Sequence, residues 1–315
     1  MGTQGDKIHI VLAGDSDYAQ HATVAMTSAL LCATKPERFV FYMLGDGLTA
    51  EIEDKMRLSV TKFGAALNFP SVDTQKLDKY QVNGTYNKTV YLRLDIAQLL
   101  PSDVKKAIYL DCDVVVMDDM AKLWDTEMGE YPLAAVPDYG IMASGKSWRD
   151  KEKNIGVKSG DLYFNSGVLV IDLDAWRREN YGERVGNLAA RFAYRHPDQD
   201  ALNKVFYRNW QPLPLRWNVI PPVWNLFLKV LLNRNYRRAA LKARQNIGIL
   251  HYAGGYKPWE YEEYPAFNAE YYHALQKTAF SGVTMPQPNP NKRGRSIRRQ
   301  LLRIRLADFW QKFLS

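Results

Sequence analysis

Strand-like apolar runs alternate with helix-period stretches along the first part of this chain. The pattern predicts strands at 8–13, 38–44 and 107–110 and helices at about 18–33, 49–63 and 87–100, the last stopped by Pro101. Strands separated by helices cannot pair as tight hairpins. They need crossover connections, which produce a parallel sheet with helices on its faces. The expected fold class is therefore α/β with a mainly parallel central sheet, and the first hundred-odd residues have the form of a nucleotide-binding half.

The second half is less regular. A strand is expected within LYFNSGVLVIDL (162–173), a helix from about Asp174, another near 198–206, and a strand at 247–252 after the Pro- and Trp-rich passage WQPLPLRWNVIPPVWN. TMPQPNPNKRG (284–294) has linker composition. The expected organisation is one domain over 1–283, with halves at about 1–116 and 117–283, a linker at 284–294 and a tail at 295–315.

Hydrophobic residues at 46% and charged residues at 24% suit a folded domain with a sizeable core. The net charge of +8 is unevenly placed. From Asn291 to Ser315 eight basic residues face one acid, which leaves +1 for the other 290 residues. A body coated in positive charge for nucleic acid is not indicated. Projected as a helix, the tail sets Leu302, Leu306, Phe309 and Phe313 on one face with Trp310 beside them and Arg305 and Lys312 flanking. Leu301 and Ile304 fall off that face. This pattern suits an anionic membrane surface, and the competing expectation is a docked helix with a solvated basic rim. No run has transmembrane length and no signal peptide is expected. Two cysteines, Cys32 and Cys112, fit a reducing compartment.

The stretch YLDCDVVV (109–116) puts two acids where a buried strand is expected. At the carboxyl end of a strand they would lie where open α/β sheets bind ligands, and residues two apart on extended chain share a side. Asp111 and Asp113 could hold one hard divalent cation, or one could cap the following helix and the other sit in a turn. HYAGGYKPW (251–259) adds an imidazole at a strand end, glycines that let backbone approach a ligand, and Lys257 for phosphate. Two carboxylates and one imidazole suit Mn²⁺ or Mg²⁺.

These motifs, with VLAGDSDYA (11–19), NKTVYLRL (87–94), YFNSGVLVIDL (163–173) and DQDALN (198–203), occur in one order. In that set and order the chain resembles glycosyltransferase family eight, retaining enzymes that use UDP-sugars. The likeness is closest to bacterial lipopolysaccharide galactosyl- and glucosyltransferases. The resemblance spans about 250 residues, to Trp259, and implies a GT-A type nucleotide-sugar-binding domain.

It further implies that Asp111, Asp113 and His251 hold Mn²⁺, or Mg²⁺, against the diphosphate of a UDP-hexose. Ala13, Asp15, Tyr18, Arg93, Cys112, Asn165, Ser166, Gly254 and Lys257 would line the donor site, and the 251–259 loop would order over it. Asp198, Gln199 and Asp200 would lie at the reacting carbon, with Asp138 near the acceptor. An amide is a poor nucleophile, so Gln199 implies front-face departure and attack, with Asp200 as the reserve nucleophile. The implied acceptor is a glycan, with lipopolysaccharide core, another glycolipid and a glycosylated protein all open and the tail favouring a lipid-linked one; the enzyme is expected in the cytoplasm at the inner face of the plasma membrane, with no nucleic acid partner. Ala253, and the segment from Tyr86 to Asn87 on the expected acceptor-side wall, depart from close relatives and bear on acceptor identity. Two rival readings are a dinucleotide oxidoreductase, from GDGLTA at 45–50, and a non-catalytic adaptor.

Overall fold

The computed structural model describes residues 7–81, 87–226, 228–255, 257–260, 267–282, 302, 304–306 and 308–309. The expected linker, Tyr86 and most of the tail lie outside these.

Among the described residues nine strands follow in order: β1 (Ile8–Asp15), β2 (Phe39–Asp46), β3 (Ala66–Asn68), β4 (Lys106–Leu110), β5 (Val114–Val116), β6 (Leu133–Pro137), β7 (Phe164–Asp172), β8 (Gln211–Pro212) and β9 (Ile249–His251). Seven form one sheet in the order β3-β2-β1-β4-β7-β6-β8. β1 to β4 within it are mutually parallel, as the helical crossovers require. β7 runs antiparallel to both β4 and β6. The side chains of β1 show why the sheet is buried on both faces: Ile8, Ile10 and Leu12 enter one apolar cluster, and Val11 enters another on the opposite face. The helix Ala19–Cys32 is alanine-rich, and Ala19, Ala22, Ala25 and Ala29 are buried, so its backbone can approach its neighbours closely.

Strand order reverses at β1, whose carboxyl end lies beside that of β4 in the register Leu12↔Leu110. A ligand crevice is expected at such a switch point. Asp15 and Asp111 stand at its two lips.

Two expectations are corrected here. YLDCDVVV is not one strand: β4 ends at Leu110, residues 111–113 turn, and β5 pairs with β9 in a separate two-stranded sheet. The expected helix at 87–100 is a tight 3-10 helix, Lys88–Asp95, followed by one short α turn, Ile96–Leu99. Tyr91, Leu92, Arg93 and Leu94 are all buried, so no single helical stripe faces the core; the segment is enclosed on every side.

The described tail residues are helical and meet the docked-helix expectation along one edge. Ile304 packs into the cluster that includes Ala240, Leu241 and Ala243, and Asp308 accepts from Arg244 Nη2 at 2.5 Å. Leu302, Leu306 and Phe309 face outward, 59%, 45% and 53% exposed. The helix is docked by one edge and presents its apolar face. Among the described residues no helix is long and apolar enough to cross a membrane.

Candidate active site

The turn at 111–113 and the β5–β9 pair assemble the Asp–Asp–His group. Val114 pairs with His251 and the Tyr252 N–H donates to Asp113 O, so the ladder brings the end of β9 beside the turn. The ligand atoms of Asp111, Asp113 and His251 all lie within 4.8 Å of one another. His251 Nε2 is 3.1 Å from Asp113 Oδ1 and 3.7 Å from Asp111 Oδ2. The turn, rather than strand alternation, makes the two carboxylates converge.

Asn218, which no sequence motif singled out, sets the imidazole. Its Nδ2 donates to Asn165 Oδ1 at 2.8 Å, which orients its own Oδ1 toward His251 Nδ1 at 2.9 Å. Nδ1 then carries the proton and Nε2 turns a lone pair to the carboxylates, the tautomer that a metal-ligating histidine needs. Gly167 forms the floor. A Cβ there would stand 2.6 Å from Asp111 Oδ2 and 2.9 Å from His251 Nδ1, and closer still to Cε1, so only glycine leaves room for the group. Gly167 lies inside the quoted YFNSGVLVIDL, but its necessity shows only when β7 is laid against β4.

Arg93 was expected to reach the donor. It is buried, and its Nη2 donates to Asp111 Oδ1 at 2.9 Å. Nη1 lies 3.1 Å from Asp198 Oδ2 and donates to Ser166 O, while Nε donates to Val90 O. Burial alone would lower the guanidinium pKa, but Asp111 and Asp198 outweigh it and raise it. The geometry makes Arg93 a clamp behind the two carboxylates, not a surface ion pair. Tyr109 Oη donates to the same Asp111 oxygen at 2.9 Å, leaving Oδ2 to face His251.

Lys257 Nζ donates to Asp113 Oδ2 and, at 2.8 Å, to Tyr252 O. Burial of Asp113 would raise its pKa. The ammonium charge of Lys257 instead holds it well below the ordinary carboxylate range. The loop carrying Lys257 is fastened further along: Trp259 stacks on His21 with ring centroids 3.7 Å apart, and His21 Nδ1 lies 2.6 Å from Tyr271 Oη. Gly254, with φ +98°, supplies the turn that folds this loop back.

At the carboxyl end of β1, Asp15 Oδ1 caps the turn at Tyr18 N (3.1 Å) and Oδ2 accepts from Asn87 Nδ2. Asn87, placed by sequence reasoning on the acceptor wall, therefore stands against Asp15. Tyr18 is 37% exposed and meets Trp259 edge-on at 6.3 Å. Cys112 is buried, its thiol donating to Ala13 O at 3.2 Å and its pKa pushed well up by burial.

Behind the triad lies a second, buried polar cluster. Gln199 Oε1 accepts from Ser166 N at 3.1 Å, and Nε2 donates to Asp138 Oδ2 at 3.2 Å and Tyr163 Oη at 3.1 Å. Asp138 follows β6, caps the turn at Ile141 N, and also accepts from Asn165 Nδ2 at 3.3 Å. Asp198 lies in the first turn of the helix Pro197–Val205, which His196 precedes at the cap position, and turns inward to Ser166 Oγ at 2.9 Å. Its burial raises its pKa against the pull of Arg93. Asp200 lies between Lys151 Nζ (2.7 Å) and Tyr163 Oη (2.5 Å), and Lys151 is fully buried. Neither Lys151 nor Tyr163 was singled out by sequence reasoning, because Lys151 lies in a helix of otherwise polar, solvated composition.

Two carboxylates, a tautomer-fixed imidazole and an adjacent ammonium make a donor set that fits a hard divalent cation with room for phosphate oxygens. The comparisons with known proteins identify the family. The family model described as glycosyl transferase family 8 matches residues 9–263. "General stress protein A" of Bacillus subtilis is 32% identical over 291 residues, covering 90% of this chain and 98% of that one. The lipopolysaccharide 1,2-glucosyltransferase of Escherichia coli is 24% identical over 78% of this chain and 71% of its own. Among solved structures, the galactosyltransferase LgtC, in complex with donor and acceptor sugar analogs, superposes with a TM-score of 0.73. It is 27% identical over 89% of this chain and 98% of that one. By this match over most of its length, the chain belongs to glycosyl transferase family 8 and is a glycosyltransferase.

Proposed function

We propose that the protein transfers a hexose, galactose or glucose, from a UDP-sugar to a hydroxyl of a cell-surface glycan such as lipopolysaccharide core, with retention at the anomeric carbon. The observation that carries this reading is the convergence of Asp111, Asp113 and Nε2 of His251 beside the buried Gln199 cluster. Support for the substrates comes from the relatives: one is named for glucosyl transfer to lipopolysaccharide, another is a galactosyltransferase seen with donor and acceptor sugar analogs.

Mn²⁺, or Mg²⁺, held by Asp111, Asp113 and His251 would supply positive charge to the departing diphosphate. The chain's own residues do the rest. Lys257 sits at the same carboxylate and can turn its ammonium to the diphosphate as charge develops there, which stabilises the transition state more than the ground state. Arg93 holds Asp111 in place from behind. Asp15 and Tyr18 bind the nucleoside, Tyr18 by its exposed ring face. Trp259 on His21 closes the loop over the crevice and keeps water from the reacting carbon.

The hydrogen bonds around Gln199 support direct front-face transfer. Both its N–H groups and its carbonyl are committed to protein partners, so the amide is fixed in the pocket wall and is no nucleophile. Asp200, the reserve nucleophile, is committed on both oxygens to Lys151 and Tyr163. The acceptor would enter beside Asp138. The outward apolar face of the tail supports a lipid-linked acceptor and a cytoplasmic enzyme lying on the inner leaflet of the plasma membrane.

The test is UDP release from a panel of UDP-hexoses with and without Mn²⁺, followed by product linkage analysis with a glycan acceptor. Metal-dependent turnover of UDP-galactose or UDP-glucose, lost in Asp111→Asn with Asp113→Asn, is expected. Turnover undiminished in that double variant would refute the metal assignment; an inverted product would refute retention.

A further inference from the structure

The near-neutral charge of the body conceals a segregation. Between Asp200 and Glu260 there is no acid at all, against ten lysines and arginines. Six of these, Lys229, Arg234, Arg237, Arg238, Lys242 and Arg244, fall on two consecutive helices, Leu228–Leu232 and Arg234–Gln245. The second helix buries Ala240, Leu241 and Ala243 and exposes Arg234, Arg238 and Lys242, which at spacings of four form one stripe opposite the buried side. The first helix ends in Leu232, 73% exposed, the most exposed large hydrophobic side chain among the described residues.

This surface is continuous with two others. Arg244 pairs with Asp308, so the docked tail helix, with outward Leu302, Leu306 and Phe309 and the exposed Arg305, lies alongside. In the other direction Tyr236 stacks on Tyr139, ring centroids 4.4 Å apart, and Lys229 donates to Ser144 Oγ at 3.3 Å. Tyr139 follows Asp138. The basic helices are thus packed directly against the wall where the acceptor would enter.

We propose that the helices Leu228–Leu232 and Arg234–Gln245, together with the tail helix, form one composite surface that docks on an anionic lipid bilayer. The body, and not the tail alone, then sets the distance and tilt of the acceptor wall above the membrane. Charge complementarity chooses the occupant: the stripe has cations with no acid among them, and the exposed Leu232, with Leu302, Leu306 and Phe309 of the tail helix, suits the headgroup–acyl boundary but has no counterpart in nucleic acid. The inference rests on the reading of a membrane-borne acceptor, but its test uses no turnover.

The full chain is sedimented with vesicles of neutral phosphatidylcholine and with vesicles holding about 30% phosphatidylglycerol, whose anionic surface attracts each nearby Lys or Arg by roughly fivefold in affinity. Wild type is expected to bind only the anionic vesicles. Loss of three cations in R234Q/R238Q/K242Q should weaken this by about 100-fold, while R234K/R238K stays within a few-fold of wild type. L232E should weaken binding further in either background. Thermal unfolding confirms that each variant is folded. If R234Q/R238Q/K242Q binds as tightly as wild type and truncation after Gly294 alone releases the protein, the composite surface is refuted and a tail anchor stands. If the full chain ignores anionic vesicles, the membrane reading and this inference fall together. Salt-sensitive binding to duplex DNA without vesicle binding would assign the stripe to nucleic acid instead.

Discussion

Gly167→Ala tests the metal group by inserting one methyl group. The new Cβ would stand 2.6 Å from Asp111 Oδ2 and 2.9 Å from His251 Nδ1, where ordinary contact begins near 3.4 Å. Either the backbone or the ligands must move by roughly 0.8 Å, and a well-packed site resists such an insertion at a cost of about 1–3 kcal/mol. The backbone is pinned: Gly167 N–H donates to Asn165 Oδ1 at 3.0 Å and Gly167 O accepts from Asp111 N at 2.8 Å. The side chains of Asp111 and His251 therefore move. Ligand distances tolerate about 0.2 Å, so a shift of this size removes one ligand from the set. The expected result is at least about 100-fold weaker Mn²⁺ binding, measured by calorimetric titration in the presence of UDP. The midpoint of unfolding should fall only by what about 1–3 kcal/mol implies. A Gly167→Ala protein that binds Mn²⁺ within about threefold of wild type would show that Asp111 and His251 do not share a cation.

Three further outcomes follow from the same geometry. Asn218→Ala deprives His251 Nδ1 of its acceptor and should weaken Mn²⁺ binding by about 10–100-fold, whereas Asn218→Asp, which keeps an acceptor, should recover most of it; equal titrations for both would discount the tautomer role. Lys151→Met strands Asp200 as a buried, unpaired carboxylate and should cost about 3–5 kcal/mol in urea unfolding, most of it recovered in Lys151→Met with Asp200→Asn; no recovery would mean that Lys151 acts through packing alone. Partial burial would raise the Asp118 pKa, but bonds from Lys122 and Arg216 hold it at about 2. Its pairing stabilises the fold fully above pH of about 4 and is lost as pH falls through about 2, so a wild-type advantage over Asp118→Asn of at most about 2 kcal/mol should shrink over that window and not at neutral pH.

The tail and the basic helices show how projection from sequence succeeds locally and fails globally. The helical face of Leu302, Leu306 and Phe309 was legible because it needs only 100° per residue. That Ile304 is the docking contact was not, since the cluster it enters is built by residues some sixty positions earlier. The basic stripe on Arg234–Gln245 escaped notice for a different reason: net charge averages over a chain, and an acid-free region from 201 to 259 cancels against acids elsewhere.

From the sequence alone came the alternation that demands a largely parallel sheet and the choice of Asp111, Asp113 and His251 as a candidate ligand set. Both depend on residue type and on spacing along the chain. Tertiary structure decided that the two acids converge through a turn, that β5 and β9 form their own sheet to deliver His251, and that Arg93 lies behind the carboxylates. It also brought in Asn218, Gly167, Lys151 and Tyr163, which carry no motif. Their roles are defined by what they touch, and the touching groups are tens of residues away: Gly167 meets His251 across 84 positions and Asn218 meets Asn165 across 53. Chemistry that resides in a side chain can be read in one dimension; orientation, exclusion and charge compensation arise only when distant backbone segments are packed together.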